Sequence, residues 1–430
     1  MVLSHSSKLS PTAAGILAAA LLMTSLSACS QTASTSAAAD NASASSTPAM
    51  SDAEFSSSAG SGTSTAQESA AGDVDTAIDT ADASDTDEAG SAFDTASDSE
   101  SCFDQDSDED YGTPLEVPEG QYLSELTGLP IDLELQDQRP IAVMVDNESK
   151  ALPHYGTADA DIVYEMMNST ANDRITRLMC IYKDWQDLEQ VGSIRSVRPT
   201  NILVAQEYEA VICHDGGPYY INDYFSRYPY HFSGTFSRVN NGKAREFTEY
   251  ILSGDLQKNF KNSGYSTEYT TDSEAADGHF QFAPYGTKVN LDDYDADGVR
   301  MANTIELPFY HNQSKLVYNE ETGTYDYYEY GEQHLDADTK APLTFENVLL
   351  QDCSFHQYDS NGYLIYNCID KFQFAYYCTE GKNISVLWTK EGESGITHFY
   401  DAEGNELTIN PGKTYIGIIP DDTWDEVMIY

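Results

Sequence analysis

Between residues 30 and 112 the chain carries 19 acidic residues and not one Lys or Arg. Such a stretch has too little apolar surface to offset the entropy that ordering would cost, and its uncompensated charge repels itself. It predicts a disordered acidic linker and confines any folded body to residues 113–430. That body holds 52 of the 71 acidic and 21 of the 22 basic residues, a net charge of about −31 within a total of −49. A surface this acidic excludes nucleic acid, whose partners need clustered cations. It also offers no attraction to anionic lipid, so any hold on a membrane must be covalent or hydrophobic.

The N-terminus supplies a covalent route. Residues 1–12 carry Lys8 and no acid, and residues 13–23 form an apolar run of 11. That length suits the core of a signal peptide and is too short to span a bilayer. Leu26-Ser27-Ala28-Cys29 follows. Small residues before a cysteine fit cleavage after Ala28, with the Cys29 thiol accepting a diacylglyceryl group. This resembles the lipobox of bacterial lipoproteins. Two acyl chains meet the condition for stable anchoring. The expected organisation is a signal peptide (1–28), lipidated Cys29 with its acidic linker (29–112), an α/β domain (113–290) and a β-rich region (291–430), held by lipid on the extracytoplasmic face of the cell membrane.

Within the body, Ile141–Val145, Asp161–Glu165 and Ile175–Tyr182 read as buried strands. Pro199 to Tyr208 reads as a helix with Pro at its first position, and Ala210–Cys213 as the next strand. This β–α–β rhythm predicts a mixed sheet covered by helices. Beyond about residue 295, short strands alternate with turn signals at Asn361-Gly362, Glu380-Gly381 and Glu403-Gly404-Asn405. Val348–Phe355 and Tyr363–Cys368 read as a hairpin, which makes Cys353 and Cys368 a candidate disulfide with Cys378 as competitor. Cys180 and Cys213 end consecutive apolar strands and form a second candidate. The alternative for each is a buried free thiol. No CxxC or Cys/His zinc spacing occurs.

Three stretches carry a family resemblance: Arg139-Pro-Ile-Ala-Val-Met-Val-Asp-Asn147, then Ala160–Glu165 with Ile175-Thr-Arg177, then Gly192-Ser-Ile-Arg-Ser-Val-Arg-Pro199 running on to His214-Asp-Gly-Gly217. Together they resemble the YerB-like lipoprotein family, a domain of unknown function. Asn347–Gln351, Thr397–Asp401 and Asn410–Tyr415 are similar to its C-terminal part. The resemblance implies a three-layer α/β N-terminal domain with a mostly β C-terminal region, and no established activity. The sequence departs from the family pattern at Ala244–Glu249, where a Pro-His-Asn element would stand, and at Pro218-Tyr219-Tyr220 after the paired glycines.

Three constellations could carry chemistry. Arg174, Arg177, Arg195 and Arg198 fall within 25 residues of an otherwise acidic chain. Arg195-Ser196-Val197-Arg198 precedes a predicted helix start, where free N–H groups and guanidinium forks suit a carboxylate or phosphate. The alternative is buried Arg pairing with Glu165, Asp146 or Glu207. Second, His214-Asp215-Gly216-Gly217 and Asp146-Asn147 each end a strand. Parallel neighbours would turn them into one crevice, with His214 as a general base or metal ligand. The alternative is local turn capping. Third, Asp293, Asp295 and Asp297 with Gly298 match the start of a calcium loop, but Thr304 stands where its bidentate Glu belongs.

No complete catalytic set emerges, and no cofactor beyond that incomplete Ca2+ loop. The expected function is therefore binding of an anionic envelope component or a protein partner. Two readings compete: an envelope hydrolase using Asp146, His214 and Asp215, and a structural spacer. The acidic linker yields a test. Deleting residues 30–112 while keeping Cys29 should impair function in cells and leave the body's melting temperature unchanged; wild-type behaviour would refute the spacing role.

Overall fold

The strand Ile141–Asp146 (β1) is buried along its whole length, as its unbroken apolar run requires for a strand covered on both faces. It lies in a computed structural model that describes residues 111–294 and 298–430. The predicted signal peptide, Cys29 and all of the linker but its last two residues lie outside the described residues. The described residues belong to one compact unit.

In the N-terminal half, β1 is followed by β2 (Ile162–Met167), β3 (Thr176–Tyr182), α1 (Pro199–Glu207), β4 (Val211–His214), α2 (Ile221–Arg227), β5 (His231–Ser233) and α3 (Asp255–Ser263). The C-terminal half begins with β6 (Arg300–Met301), β7 (Thr304–Glu306), β8 (Lys315–Asn319), β9 (Thr324–Glu329), β10 (Glu332–Gln333) and β11 (Thr344–Phe345). It continues with β12 (Asn347–Cys353), β13 (Gln373–Thr379), β14 (Lys382–Lys390), β15 (Thr397–Tyr400), β16 (Thr414–Pro420) and β17 (Met428–Ile429).

Eleven of these strands form one mixed sheet in the order β6-β14-β13-β12-β16-β2-β3-β1-β4-β5, with β15 beside β14. The halves meet at β16, which pairs in parallel with β12 on one side and β2 on the other. The change in sequence pattern near residue 290 is therefore not a break in the sheet.

The two faces of the sheet are covered differently. Ala142 and Met144 of β1 pack with Ile202, Leu203 and Ala205 of α1. Val143 and Val145, pointing the other way, pack with Ile305, Leu316, Tyr325, Tyr327 and Phe345. Those five come from a second, six-stranded sheet, β10-β9-β8-β7-β17 with β11 beside β9. The expected three-layer α/β arrangement is thus corrected: the chain is mixed but mostly β, 37% strand and 15% helix. A sheet, joined by Leu256 and Phe260 of α3, supplies the layer expected from helices. In β9, buried Tyr325, Tyr327 and Glu329 alternate with half-buried Asp326 and Tyr328, the pattern of a strand with one covered face.

Two buried carboxyl groups tie the halves together. Glu165 of β2 is fully buried, and side chains from both halves place donors against it. Thr176 Oγ1 lies 2.7 Å, Asn312 Nδ2 2.6 Å, Ser314 Oγ 2.8 Å and Asn147 Nδ2 3.3 Å from Oε1. Tyr327 and Tyr415 donate to Oε2 at 2.9 and 2.7 Å. Burial pushes its carboxyl above the usual range, and the bonds from Thr176, Tyr415, Ser314 and Asn312 pull against that. At the far end of α1, Glu207 meets Lys390 of β14 at 3.0 Å, His279 at 2.8 Å and the Thr397 N–H at 2.9 Å. Burial raises its pKa, but Lys390 and His279 outweigh that and hold it below the usual value.

The disulfide expectations are corrected. Cys180 and Cys213 are free thiols on β3 and β4, and both lie opposite Val143 of β1. A whole strand separates them, about 9.5 Å, beyond the reach of an S–S bond. Cys353 and Cys368 flank the base of a small hairpin in which Phe355 faces Tyr366, and both are also free. Their thiols are buried in the apolar core beside α1. Val348 to Cys353 belongs to the large sheet, so only Phe355–Gln357 and Leu364–Tyr366 form the predicted hairpin.

The Glu165 cage predicts a graded response. Glu165→Ala strands several buried donors and should cost about 3 kcal/mol or more in chemical denaturation. Glu165→Gln keeps the volume and one acceptor, and should cost less than half as much. A loss under about 1 kcal/mol for the alanine variant would show that the cage is not a weld.

Candidate functional site

Residues 193–198 thread between the ends of β1 and β4. The Asp146 N–H donates to the Ser193 carbonyl at 3.0 Å, and the Arg195 N–H to the Met144 carbonyl at 2.9 Å. On the other side the Asp215 N–H donates to the Arg195 carbonyl at 3.0 Å, and the Val197 N–H to the Gly216 carbonyl at 3.1 Å. This stitching requires a close backbone approach at the glycine pair. A Cβ on Gly217 would lie 2.6 Å from Ile221 Cδ1 and 3.0 Å from the Val197 carbonyl, and Gly216 has φ +71°. The segment ends at Arg198, whose extended backbone caps α1 with Pro199 in the first turn.

β1 and β4 are indeed parallel neighbours, and three guanidinium groups gather at their ends. Arg195 Nε stands 2.7 Å from Asp146 Oδ2, as an ion pair rather than an aligned hydrogen bond. Its Nη2 reaches Glu246 at 3.3 Å. Arg177 lies opposite Asp146 across β3 and β1, and donates to the Ser196 carbonyl. Arg198 is 6% exposed. It donates to the Asn168 carbonyl at 3.3 Å and the Val197 carbonyl at 3.0 Å, and its guanidinium lies 4.5 Å from the centre of the Tyr363 ring. No carboxylate lies within ion-pair distance of Arg177 or Arg198 among the described residues. Burial, followed by repulsion from Arg177, pulls the Arg198 guanidinium down to about 8. Burial likewise pulls Arg177 down to about 10. A guanidinium does not lose its proton in a protein, so these shifts mark buried positive charge, which Asp146 offsets only in part at Arg177.

Of the three acids offered as alternative partners for the arginines, Asp146 pairs with Arg195, while Glu165 and Glu207 are engaged elsewhere. Asn147 also turns away from the arginines, towards Glu165 and Thr176. Ser196 contributes its carbonyl to Arg177. Asp215 pairs with Arg238 at 2.8 Å, and the two border a cavity of ≈ 390 Å³ with Ala244, Arg245 and Glu246. The stretch that departs from the family pattern thus forms the wall of the opening nearest Arg195.

His214 is not free to act in this opening. Its Nδ1 donates to the Gly216 carbonyl at 2.7 Å, and Nε2 accepts from His231 Nδ1 at 3.0 Å. The ring is stacked against Phe225 and His231. With both nitrogens used and Asp146 and Asp215 each facing an arginine, the expected acid–base set is not assembled. Asp293 accepts from Asn290 Nδ2 at 3.3 Å, while Asp295 and Asp297 lie outside the described residues. One group of metal-type ligands does assemble among the described residues: His154, Glu329 and His334. Sequence spacing gave no sign of it, because its members come from opposite halves of the chain.

A mixed sheet backed by a second sheet, with an arginine cluster at a strand–helix junction, defines a mostly β body of two packed sheets. Residues 126–266 match the family described as "Protein of unknown function (DUF3048) N-terminal domain", and residues 305–416 match its C-terminal domain. The chain belongs to this YerB-like family. It is 26% identical over 339 residues to a Bacillus subtilis (strain 168) protein named "Putative lipoprotein YerB", covering 75% of this chain and 91% of that one. The crystal structure of the B. subtilis YerB protein shares the fold with a TM-score of 0.61 at 22% identity, over 72% of this chain and 99% of that one.

The His214 environment carries a pH prediction. Burial lowers its pKa to about 4 from an ordinary value near 6.5. Between those values the unfolded chain binds a proton that the native protein does not. Stability should therefore be full above about pH 6.5 and decline as pH falls towards about 4, by up to about 3 kcal/mol for this group. NMR titration of the imidazole would check it, and a midpoint near neutrality would overturn the buried, occupied geometry.

Proposed function

We propose that the protein is a lipid-anchored extracytoplasmic binding protein that holds an anionic group, a phosphate or carboxylate of an envelope component, at Arg195 and Arg198. The observation that carries this reading is Arg198: a nearly buried guanidinium with only carbonyl and aromatic partners, beside Arg177, which has no ion pair among the described residues, and Arg195, which pairs with Asp146 and Glu246. Buried charge of one sign is costly unless compensated, and a bound anion would compensate it. The opening beside Arg195 gives a route of approach. Tyr219, which is 73% exposed, and Tyr220 follow the glycine pair; Tyr220 stacks on Tyr358 and donates to Asp359. These rings add an amphipathic surface of the kind that binds polar polymers.

Anchoring rests on the Cys29 lipobox and on the name of the B. subtilis relative. No helix among the described residues is long and apolar enough to cross a membrane. The hydrolase reading is less well supported, because His214 has no free nitrogen.

Inorganic phosphate, citrate and a poly(glycerol phosphate) chain are suitable probes, measured by calorimetry at two salt concentrations. At least one should bind, and more weakly at high salt. Arg195→Gln, at a partly exposed position, should leave folding intact and weaken that binding by about tenfold or more. Equal affinity in the variant, or no binding by any probe, would overturn the assignment.

A further inference from the structure

His154, Glu329 and His334 meet where the two halves of the protein pack together. His154 follows β1. Glu329 ends β9, and after the turn at Tyr330-Gly331 the chain returns along β10 to His334, whose N–H bonds the Tyr327 carbonyl at 2.9 Å. The three residues are 0%, 2% and 4% exposed. One ligand-type atom from each lies within 4.8 Å of the others. Glu329 Oε1 is 2.8 Å from His334 Nδ1 and 3.9 Å from His154 Nδ1.

Partners outside the cluster orient both rings. His154 Nε2 meets the Asp146 carbonyl at 2.6 Å. A carbonyl can only accept, so that nitrogen carries the proton, and in the neutral ring Nδ1 turns a bare lone pair into the cluster. His334 Nε2 meets the Thr157 hydroxyl at 2.8 Å. In the metal-free protein His334 Nδ1 donates to Glu329 Oε1; a hydroxyl can donate or accept, so the ring can hold its proton on Nε2 instead when a cation takes the place of the proton at Nδ1. A ring nitrogen bonded to a carbonyl or hydroxyl behind a lone pair aimed inward is the usual support of a metal-binding histidine. Two atoms of the cluster, His154 Nδ1 and Glu329 Oε2, have no hydrogen-bond partner although both are buried. Both accept rather than donate when the imidazole is neutral and the carboxyl ionised, so neither can satisfy the other.

We propose that His154 Nδ1, His334 Nδ1 and the Glu329 carboxylate form a binding site for one borderline divalent cation of the Zn2+ type. Two imidazoles and a carboxylate suit Zn2+ or a neighbouring transition metal and are poor ligands for Ca2+ or Mg2+. Donors around a tetrahedral ion at about 2.1 Å stand about 3.4 Å apart, so His154 and Glu329 would close by about 0.5 Å and Glu329 and His334 would open by about 0.6 Å. Two residues along the chain from these histidines, Gly156 and Asp336 line a cavity of ≈ 440 Å³ bordered by Asp159, Asp184, Asp187 and Asp338. Its negative field would concentrate cations beside the site. The site is separate from the arginine cluster proposed to bind anions.

The test uses the full chain, purified in detergent, stripped with a chelator and titrated with ZnCl2 or CoCl2 alone. One equivalent of Zn2+ should bind, and Co2+ should give the intense visible absorption of a low-coordinate nitrogen–oxygen site. His334→Gln should weaken Zn2+ binding at least a hundredfold. Its metal-free circular dichroism and melting temperature establish whether it folds. Thr157→Val removes only the hydroxyl that orients His334 and should weaken binding about 10- to 100-fold, which keeps the test open if His334→Gln fails to fold. Absence of stoichiometric Zn2+ binding in the wild type, or unchanged affinity in Thr157→Val or in a folded His334→Gln, overturns the proposal.

Discussion

One carboxylate, that of Glu165, sets the terms on which the two halves of this protein combine. A buried carboxyl group is tolerated only where hydrogen-bond partners surround it, and here they come from β3, from β9, from β16 and from the segment around Asn312 and Ser314. None of these segments alone could satisfy the group. The second sheet is thereby fixed over one particular place on the first, instead of sliding on an apolar face that would accept several registers. Tyr327 sits at the join: its hydroxyl bonds Glu165, and its ring lies 5.8 Å from that of His334. The candidate metal ligands are therefore positioned by the same contact that holds the halves together.

The Glu207–Lys390 pair performs a matching role on the opposite face, fastening the C-terminal end of α1 to β14. With one end of the helix held there, its N-terminal end is fixed against the arginine segment. The arginine geometry is in this sense a product of packing far from it. The stitching of residues 193–198 to both β1 and β4 leaves the guanidinium groups little freedom, so any anion they meet finds a largely preorganised site.

Much of the N-terminal sheet was readable in the sequence. Ile141–Asp146 and Thr176–Tyr182 stand close to where their apolar runs placed them, and α1 starts at Pro199, as proline's fixed backbone angle favours. A shared crevice requires β1 and β4 to be parallel neighbours, a pairing the sequence leaves open and the structure has. What was hidden was spatial order. Cys180 and Cys213 look adjacent along the chain because nothing local reveals that β1 lies between their strands. The tyrosine-rich strands of the second half announce a sheet but not which face it covers, so the covering layer was assigned to helices. Arg198 was located by its position before α1, whereas its lack of a carboxylate depends on where every acid of the fold ends up. His154 and His334 have no local motif, and only the docking of the β9–β10 turn brings them together.

The strand β16 has a consequence of another kind. It lies near the end of the sequence, yet it occupies the middle of the large sheet, between β12 and β2. Until it is delivered, β2 has an open edge and the N-terminal half lacks a neighbour that its hydrogen bonds require. Premature folding of the first half is thus discouraged by topology alone, since closure depends on contacts between residues widely separated in sequence. This order of assembly works as a built-in delay: the large sheet cannot close until residues 414–420 have been delivered.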